Sequence, residues 1–223
     1  MDVQALWLTL KLALGTTAIL LAVALPLAWW IASGTGMGRA MVQAGVALPL
    51  VLPPTVLGYY LLVLLGPLTA PGRLLIRMLG HPLAFSFTGL LAGSVLYSMP
   101  FAVQPLVAGF LAVPVNLLET ASTLGASPFR IFRTIALPMA APSLVSACVL
   151  AFTHTVGEFG VVLMLGGNIP GATRTLSIVL YDQVQDFNYS AANRTAAVLL
   201  VFSVLTLVPL YVRRNANTRS LLA

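Results

Sequence analysis

A chain of 223 residues in which 59% are hydrophobic and 7% charged, with a mean hydropathy of +1.00, has too little polar surface to clothe a soluble domain. The net charge of +6 is scattered over loops with no basic stripe and no interleaved aromatics, which excludes a nucleic-acid surface. A lone cysteine, Cys148, excludes an internal disulfide.

The remaining class is an all-α membrane protein. Stretches free of Asp, Glu, Lys, Arg and His run from Leu12 to Gly38, Ala40 to Gly72, Pro82 to Leu118, Thr134 to Thr153 and Thr195 to Val212. A helical span needs about 20 such residues, and nothing alternates as barrel strands do. The sequence therefore predicts a polytopic helical bundle of about five transmembrane helices in one domain, residues 1–223, with spans at about 9–33, 41–66, 84–111, 139–162 and 194–212.

The first span is too long and lacks the basic start of a signal peptide, because Asp2 is the only charge before Lys11. The stretch Gly34-Thr35-Gly36-Met37-Gly38 that ends it matches a dinucleotide fingerprint poorly. Pro49, Pro53 and Pro54 predict a kink in the second span. In the third, Gly89 and Gly93 form a GxxxG step that permits close helix contact. In the fourth, His154 and Glu158 lie one helical turn apart and are read as a hydrogen-bonded structural pair, too few for a metal site. An acid inside a membrane helix costs about 2.5 to 3.5 kcal/mol on insertion scales and is retained for function. Glu158 is accordingly assigned a gate or packing role beside Gly157 and Gly160.

Beyond the fourth span, Gly166 and Gly171 have the glycine spacing of a phosphate-binding loop, but Ala172 stands where its Lys belongs. This segment is read as an outer turn. Leu176, Val179, Leu180 and Val184 are close to helical spacing in a segment too short to span, which predicts a helix on the outer surface at 174–186. Orientation follows the bias of basic residues toward cytoplasmic loops. Placing the C-terminus in the cytoplasm and the N-terminus outside puts Arg39, Arg130, Arg133, Arg213, Arg214 and Arg219 inside, against Lys11, Arg73, Arg77, Arg174 and Arg194.

The loop at 113–138 then faces the cytoplasm. Asn116 and Glu119 have capping-box spacing and predict the start of a short helix through Leu124. Gly125 suits the left-handed stop, Ser127 an N-cap and Pro128 the first position of a second helix. In that second helix Phe129, Phe132 and Ala136 share one side, with Arg130, Arg133 and Thr134 round the other. Such a hairpin could rest on the inner lipid surface with its Arg residues near phosphates. The sharper reading is a docking element, because a protruding helix presenting a small-residue turn fits a groove on a partner.

Glu119-Thr120-Ala121, three residues, Gly125, nine residues and Ile135-Ala136-Leu137-Pro138 resemble the EAA loop of ABC importer permeases, with Thr120 the one departure from the pattern. The stretches LPLVLPPTVLGYYLL (48–62) and GEFGVVLMLGGNIPGATRTLSIVLYD (157–182) resemble the molybdate permeases of that group, and more weakly the sulfate and thiosulfate permeases. The resemblance implies a type I ABC importer permease fold with a cytoplasmic coupling helix in a bacterial inner membrane. Glu119, Ala121, Gly125, Ala126, Ser127, Phe129 and Pro138 would meet a separate ATPase subunit that uses the ATP. It further implies a second permease copy and an external oxyanion-binding protein. No cofactor is expected in this chain.

For a dianion, hydroxyls and amides donate hydrogen bonds without holding the ion too tightly. Thr16, Thr17, Gln43, Ser94, Ser98, Gln104 and Thr153 are the candidates within spans, with Glu158 as a gate; each hydroxyl could instead bond back to its own helix. Tungstate or sulfate fits the same reading. A stand-alone secondary transporter would need more intramembrane charges or an inverted repeat.

Overall fold

The computed structural model describes the backbone of residues 2–220 and the side chains of residues 2–212. Arg213, Arg214 and Arg219, which weigh in the orientation argument, lie outside the residues whose side chains are described.

Three helices form the core. α1 (Val3–Ala32) starts where Asp2 accepts a hydrogen bond from Ala5 N at 3.0 Å, and α5 (Phe87–Leu111) starts where Ser86 accepts one from Gly89 N at 3.1 Å. These two run parallel. Lys11 lies over the Phe87 ring, a Cβ on Gly15 would sit 3.3 Å from Leu91, and Trp29 meets Phe110 edge-on at 5.3 Å. α9 (Ala141–Gly157) packs antiparallel to both, bringing Ser98 to His154 and Gly109 to Ser143. The two largest apolar clusters among the described residues lie in this interior. One holds Leu20, Ala24, Ala102, Val103, Ala147 and Ala151; the other holds Leu8, Leu12, Leu90, Val162 and Ile178.

The expected second span, 41–66, is not one helix. α2 (Met37–Val51) and α3 (Pro54–Leu64) meet at 114° across Leu52 and Pro53, both extended, with ψ of 135° and 136°. Consecutive prolines force this: each pushes the residue before it out of helical geometry, and neither supplies an N–H. The expected fourth span, 139–162, is also interrupted. α7 (Pro128–Ile131), a π-helical turn (Phe132–Ala136) and α8 (Leu137–Met139) bend by 72° into α9, which stops at Gly157. Glu158 is extended and α10 (Gly160–Gly166) follows. Among the described residues, three helices are long and apolar enough to cross a membrane, or up to five if each bent pair counts as one.

Outside the core lie α4 (Ala70–Leu79), capped by Thr69 and ended by Gly80 at φ 77°, and α6 (Val115–Thr123). The segment expected to form an outer-surface helix is α11 (Leu176–Gln185), and its first turn is inserted rather than superficial. Leu176, Ser177, Ile178 and Val179 are buried, and Thr9 of α1 accepts a hydrogen bond from Leu176 N at 2.9 Å. The last helix, α12 (Tyr189–Ser220), touches mainly α9 and α11. Gly89 and Gly93 do not act together as a helix-contact step. Gly93 faces Val161 and Leu165, whereas a Cβ on Gly89 would meet the Leu83 carbonyl in the loop before α5.

Candidate functional site

At one end of the bundle, residues 113–138 form a two-helix knob. α6 buries none of its residues. It begins after Pro114, with Asn116 already inside the helix accepting from Leu117 N at 3.0 Å, so Asn116 is not the cap that its spacing to Glu119 suggested. Pro114 sets φ at −59° and occupies the capping position itself. The turn that follows is tight. Gly125 takes φ 81°, Ala126 N donates to Ala121 O and Gly125 N to Ser122 O, both at 3.0 Å, which satisfies carbonyls the helix end would leave bare. Ser127 then caps α7 through Arg130 N at 3.4 Å, with Pro128 at the first position.

The knob is anchored by one aromatic side chain and offers another to solvent. Phe132 packs against Trp29 at 5.5 Å and Phe110 at 5.9 Å, and Ile131, Ala136 and Ala140 are buried behind it. Phe129 lies apart from this face and is 71% exposed, as is Leu124 at 82%. The expected shared face of Phe129 with Phe132 and Ala136 is thus divided: Phe129 is left exposed in the first turn of α7, while Phe132 and Ala136 of the π-helical turn enter the bundle. Pro138 has no N–H, and the preceding turn widens so that Leu137 N reaches back to Phe132 O. Glu119, Gly125, Ser127, Phe129 and Pro138 are exposed; Ala121 and Ala126 are half-buried in the turn.

The seven hydroxyl and amide candidates do not share one surface. Thr16, Ser94 and Ser98 are buried inside the three-helix core. Thr17 is spent on its own helix, donating to Ala13 O at 2.7 Å. Thr153 donates to Val149 O and meets Thr206 of α12 at 3.3 Å. Gln43 and Gln104 alone face outward.

The His154–Glu158 pair is not formed. α9 ends between them, so they do not share a helical face. The His154 Nδ1 lies 3.0 Å from Ser98 Oγ, and its ring stacks on Phe101 at 3.9 Å beside Tyr97. Glu158 is buried with both carboxylate oxygens unpartnered, while its backbone carbonyl accepts from Ser177 of α11. The Ser98–His154 contact and the Ser177 brace carry no sequence signal, since they join residues 56 and 19 positions apart.

At the other end, a pocket of about 460 Å³ is lined by Asp2, Asn168, Arg174, Asp182 and Asp186 among others. Arg174 donates to Asn168 at 2.7 Å and pairs with Asp182 at 3.7 Å. The glycine-spaced turn at 166–174 closes on itself. The N–H groups of Ala172, Thr173 and Arg174 all reach Ile169 O, and Ile169 N reaches Thr173 Oγ1.

The sequence matches the family of binding-protein-dependent transport system inner membrane components over residues 24–219. It is 49% identical to the molybdenum transport system permease protein ModB of Azotobacter vinelandii, covering 96% of this chain and 95% of that one. Identity to the Haemophilus influenzae protein of the same name is 33%, covering 94% and 91%. A solved structure of the MetNI methionine ABC transporter, in inward-facing form, superposes with a TM-score of 0.72 at 20% identity, over 97% of this chain and 95% of that one. With apolar helices that suit a multi-pass inner-membrane protein and a fold shared with importer permeases, the chain belongs to the molybdenum transport permeases of the binding-protein-dependent transport systems.

Proposed function

We propose that this chain is the membrane subunit through which molybdate is imported, driven by ATP hydrolysis on a separate ATPase subunit and supplied by an external oxyanion-binding protein. The observation that carries the mechanism is the exposed knob turning at Gly125 and rooted by Phe132 against Trp29 and Phe110. The choice of molybdate rests on the relatives' names.

A knob whose first helix, α6, buries none of its residues is shaped to fill a groove on another protein. Its root touches the ends of α1 and α5 through Phe132 and continues through a 72° bend into α9. Movement of the knob therefore moves the helix that ends at Glu158. On this reading the knob end is cytoplasmic, closure of the ATPase pair drives two knobs together, and the opposite end opens to receive the anion. The pathway lies between two copies of the chain, where Gln43 and Gln104 reach the surface. Nucleotide is bound elsewhere: the glycine-spaced turn at 166–174 spends its N–H groups on itself and has no Lys at Ala172.

The test is uptake of labelled molybdate, with sulfate and tungstate as competitors, in cells lacking the protein and complemented with wild type or Gly125→Leu. Wild type should restore uptake that excess sulfate does not abolish. Gly125→Leu should insert normally yet lose most uptake, because Leu opposes the left-handed conformation by about 1 to 2 kcal/mol. Wild-type uptake in that variant would defeat the coupling role, and sulfate outcompeting molybdate would reassign the substrate.

A further inference from the structure

Among the described residues, the buried side-chain oxygens or nitrogens without a hydrogen-bond partner belong to three residues: Thr16 Oγ1, Ser94 Oγ and both carboxylate oxygens of Glu158. Buried polar groups are ordinarily satisfied, so each orphan needs a cause. Neighbouring hydroxyls follow the rule. Thr9, Thr17 and Thr155 each donate to the carbonyl four residues back, and Ser98 is shared with His154 and Thr155. Thr16 and Ser94 are as buried as these, at 0% exposure, and make no such bond.

The three residues come from distant parts of the sequence but one level of the bundle. Thr16 lies one turn from Leu12, in one apolar cluster, and one turn from Leu20, in the other. Ser94 falls between Leu90 and Ala102 of the same two clusters, and Glu158 between Ala151 and Val162. Ser94 is within reach of the Glu158 carboxylate but short of a well-formed hydrogen bond to it. The parallel register of α1 and α5, with Gly15 against Leu91, brings Thr16 to the height of Ser94. A polar layer thus separates two apolar ones.

The side chains of that layer offer only oxygen atoms. Glu158 follows the last residue of α9, where the carbonyl end of the helix carries partial negative charge. The salt bridge present among the described residues is Arg174–Asp182, which leaves Glu158 without a basic partner. Lys11 is occupied over Phe87, and His154 is held by Ser98 and stacked on Phe101. Interrupted membrane helices hold small cations between a half-helix carbonyl end and side-chain oxygens. A single carboxylate balances a single charge, whereas a dedicated divalent site takes more acidic ligands.

We propose that Glu158, Ser94 and Thr16 form a binding site for a small hard monovalent cation, sodium being the best match, at the break between α9 and α10. The cation joins α1, α5 and the two half-helices. Its binding requires neither molybdate nor ATP.

The experiment is thermal unfolding of the full chain in nanodiscs, titrated with sodium chloride against choline chloride at constant ionic strength, without oxyanion or nucleotide. A bound ion stabilises the folded state by mass action, so Tm should rise with sodium and saturate. Glu158→Gln should abolish the rise. Ser94→Ala and Thr16→Val should each shift the sodium midpoint upward about tenfold, for loss of one oxygen to a charged partner. If Glu158→Gln does not fold, these two uncharged changes carry the test. Equal Tm in both salts would mean that the layer holds only water or a proton and would overturn the proposal, as would sodium dependence surviving Glu158→Gln or unmoved by both hydroxyl changes. Either failure leaves the transport reading standing, because no transport is measured.

Discussion

Gly109 shows how little room the helix contacts leave. A Cβ there would lie 2.4 Å from both Ser143 Cβ and Ser143 Oγ, where α5 and α9 cross. Gly109→Val should therefore destabilise the chain by about 1 to 3 kcal/mol, the usual cost of overpacking, and lower Tm in detergent. Gly45, on exposed α2, has nothing within 4 Å of its added Cβ. Gly45→Ala should leave Tm unchanged or raise it slightly, since alanine favours the helix by about 1 kcal/mol. A smaller drop for Gly109→Val than for Gly45→Ala would contradict the α5–α9 contact. Neither environment is visible in the sequence, because a glycine in an apolar run reads the same whether it meets a helix or lipid. Gly125 was legible for the opposite reason: its role comes from local backbone geometry, and the residues that need it are adjacent.

At the scale of elements, the knob separates two phenylalanines three positions apart. Phe132→Ala removes one ring of the Trp29, Phe110 and Phe132 cluster and should lower stability by about 2 kcal/mol, less than the 3 to 5 for a fully buried Phe. Phe129→Ala should leave Tm unchanged and weaken capture of the ATPase subunit in a pull-down. Reversal of the two effects would exchange anchor and contact. Hydropathy alone located the apolar helices, since desolvated backbone must be helical in a bilayer. It did not locate the breaks. Pro26, Pro49, Pro100, Pro105 and Pro209 all sit within continuous helices, whereas Pro53 and Pro54 end one and start another. A single proline loses one hydrogen bond, which neighbours can absorb; two in succession remove adjacent donors and force the residue before each out of the helix. The burial of α11 was hidden because its anchors, Thr9 and Glu158, are 167 and 19 residues away.

For the whole molecule, the proposed pair of copies can be tested through α5, which turns Gln104 and Ala108 outward. In a Cys148→Ser background, Gln104→Cys should give a cross-linked dimer in native membranes with a short bifunctional thiol reagent. A monomer only, with the cysteine shown to be reactive, would place the pathway elsewhere. α12 stands apart from the rest: 6% of its most apolar window is buried, and Thr195 ties its start to Gln183 at 2.9 Å. The packed interior is therefore complete once α11 has emerged from the ribosome, and the final helix arrives as an outrigger on a finished hull. A chain stopped after Asp186 should already hold α5 against α9, readable as a disulfide between cysteines placed at Gly109 and Ser143 on the newly made fragment.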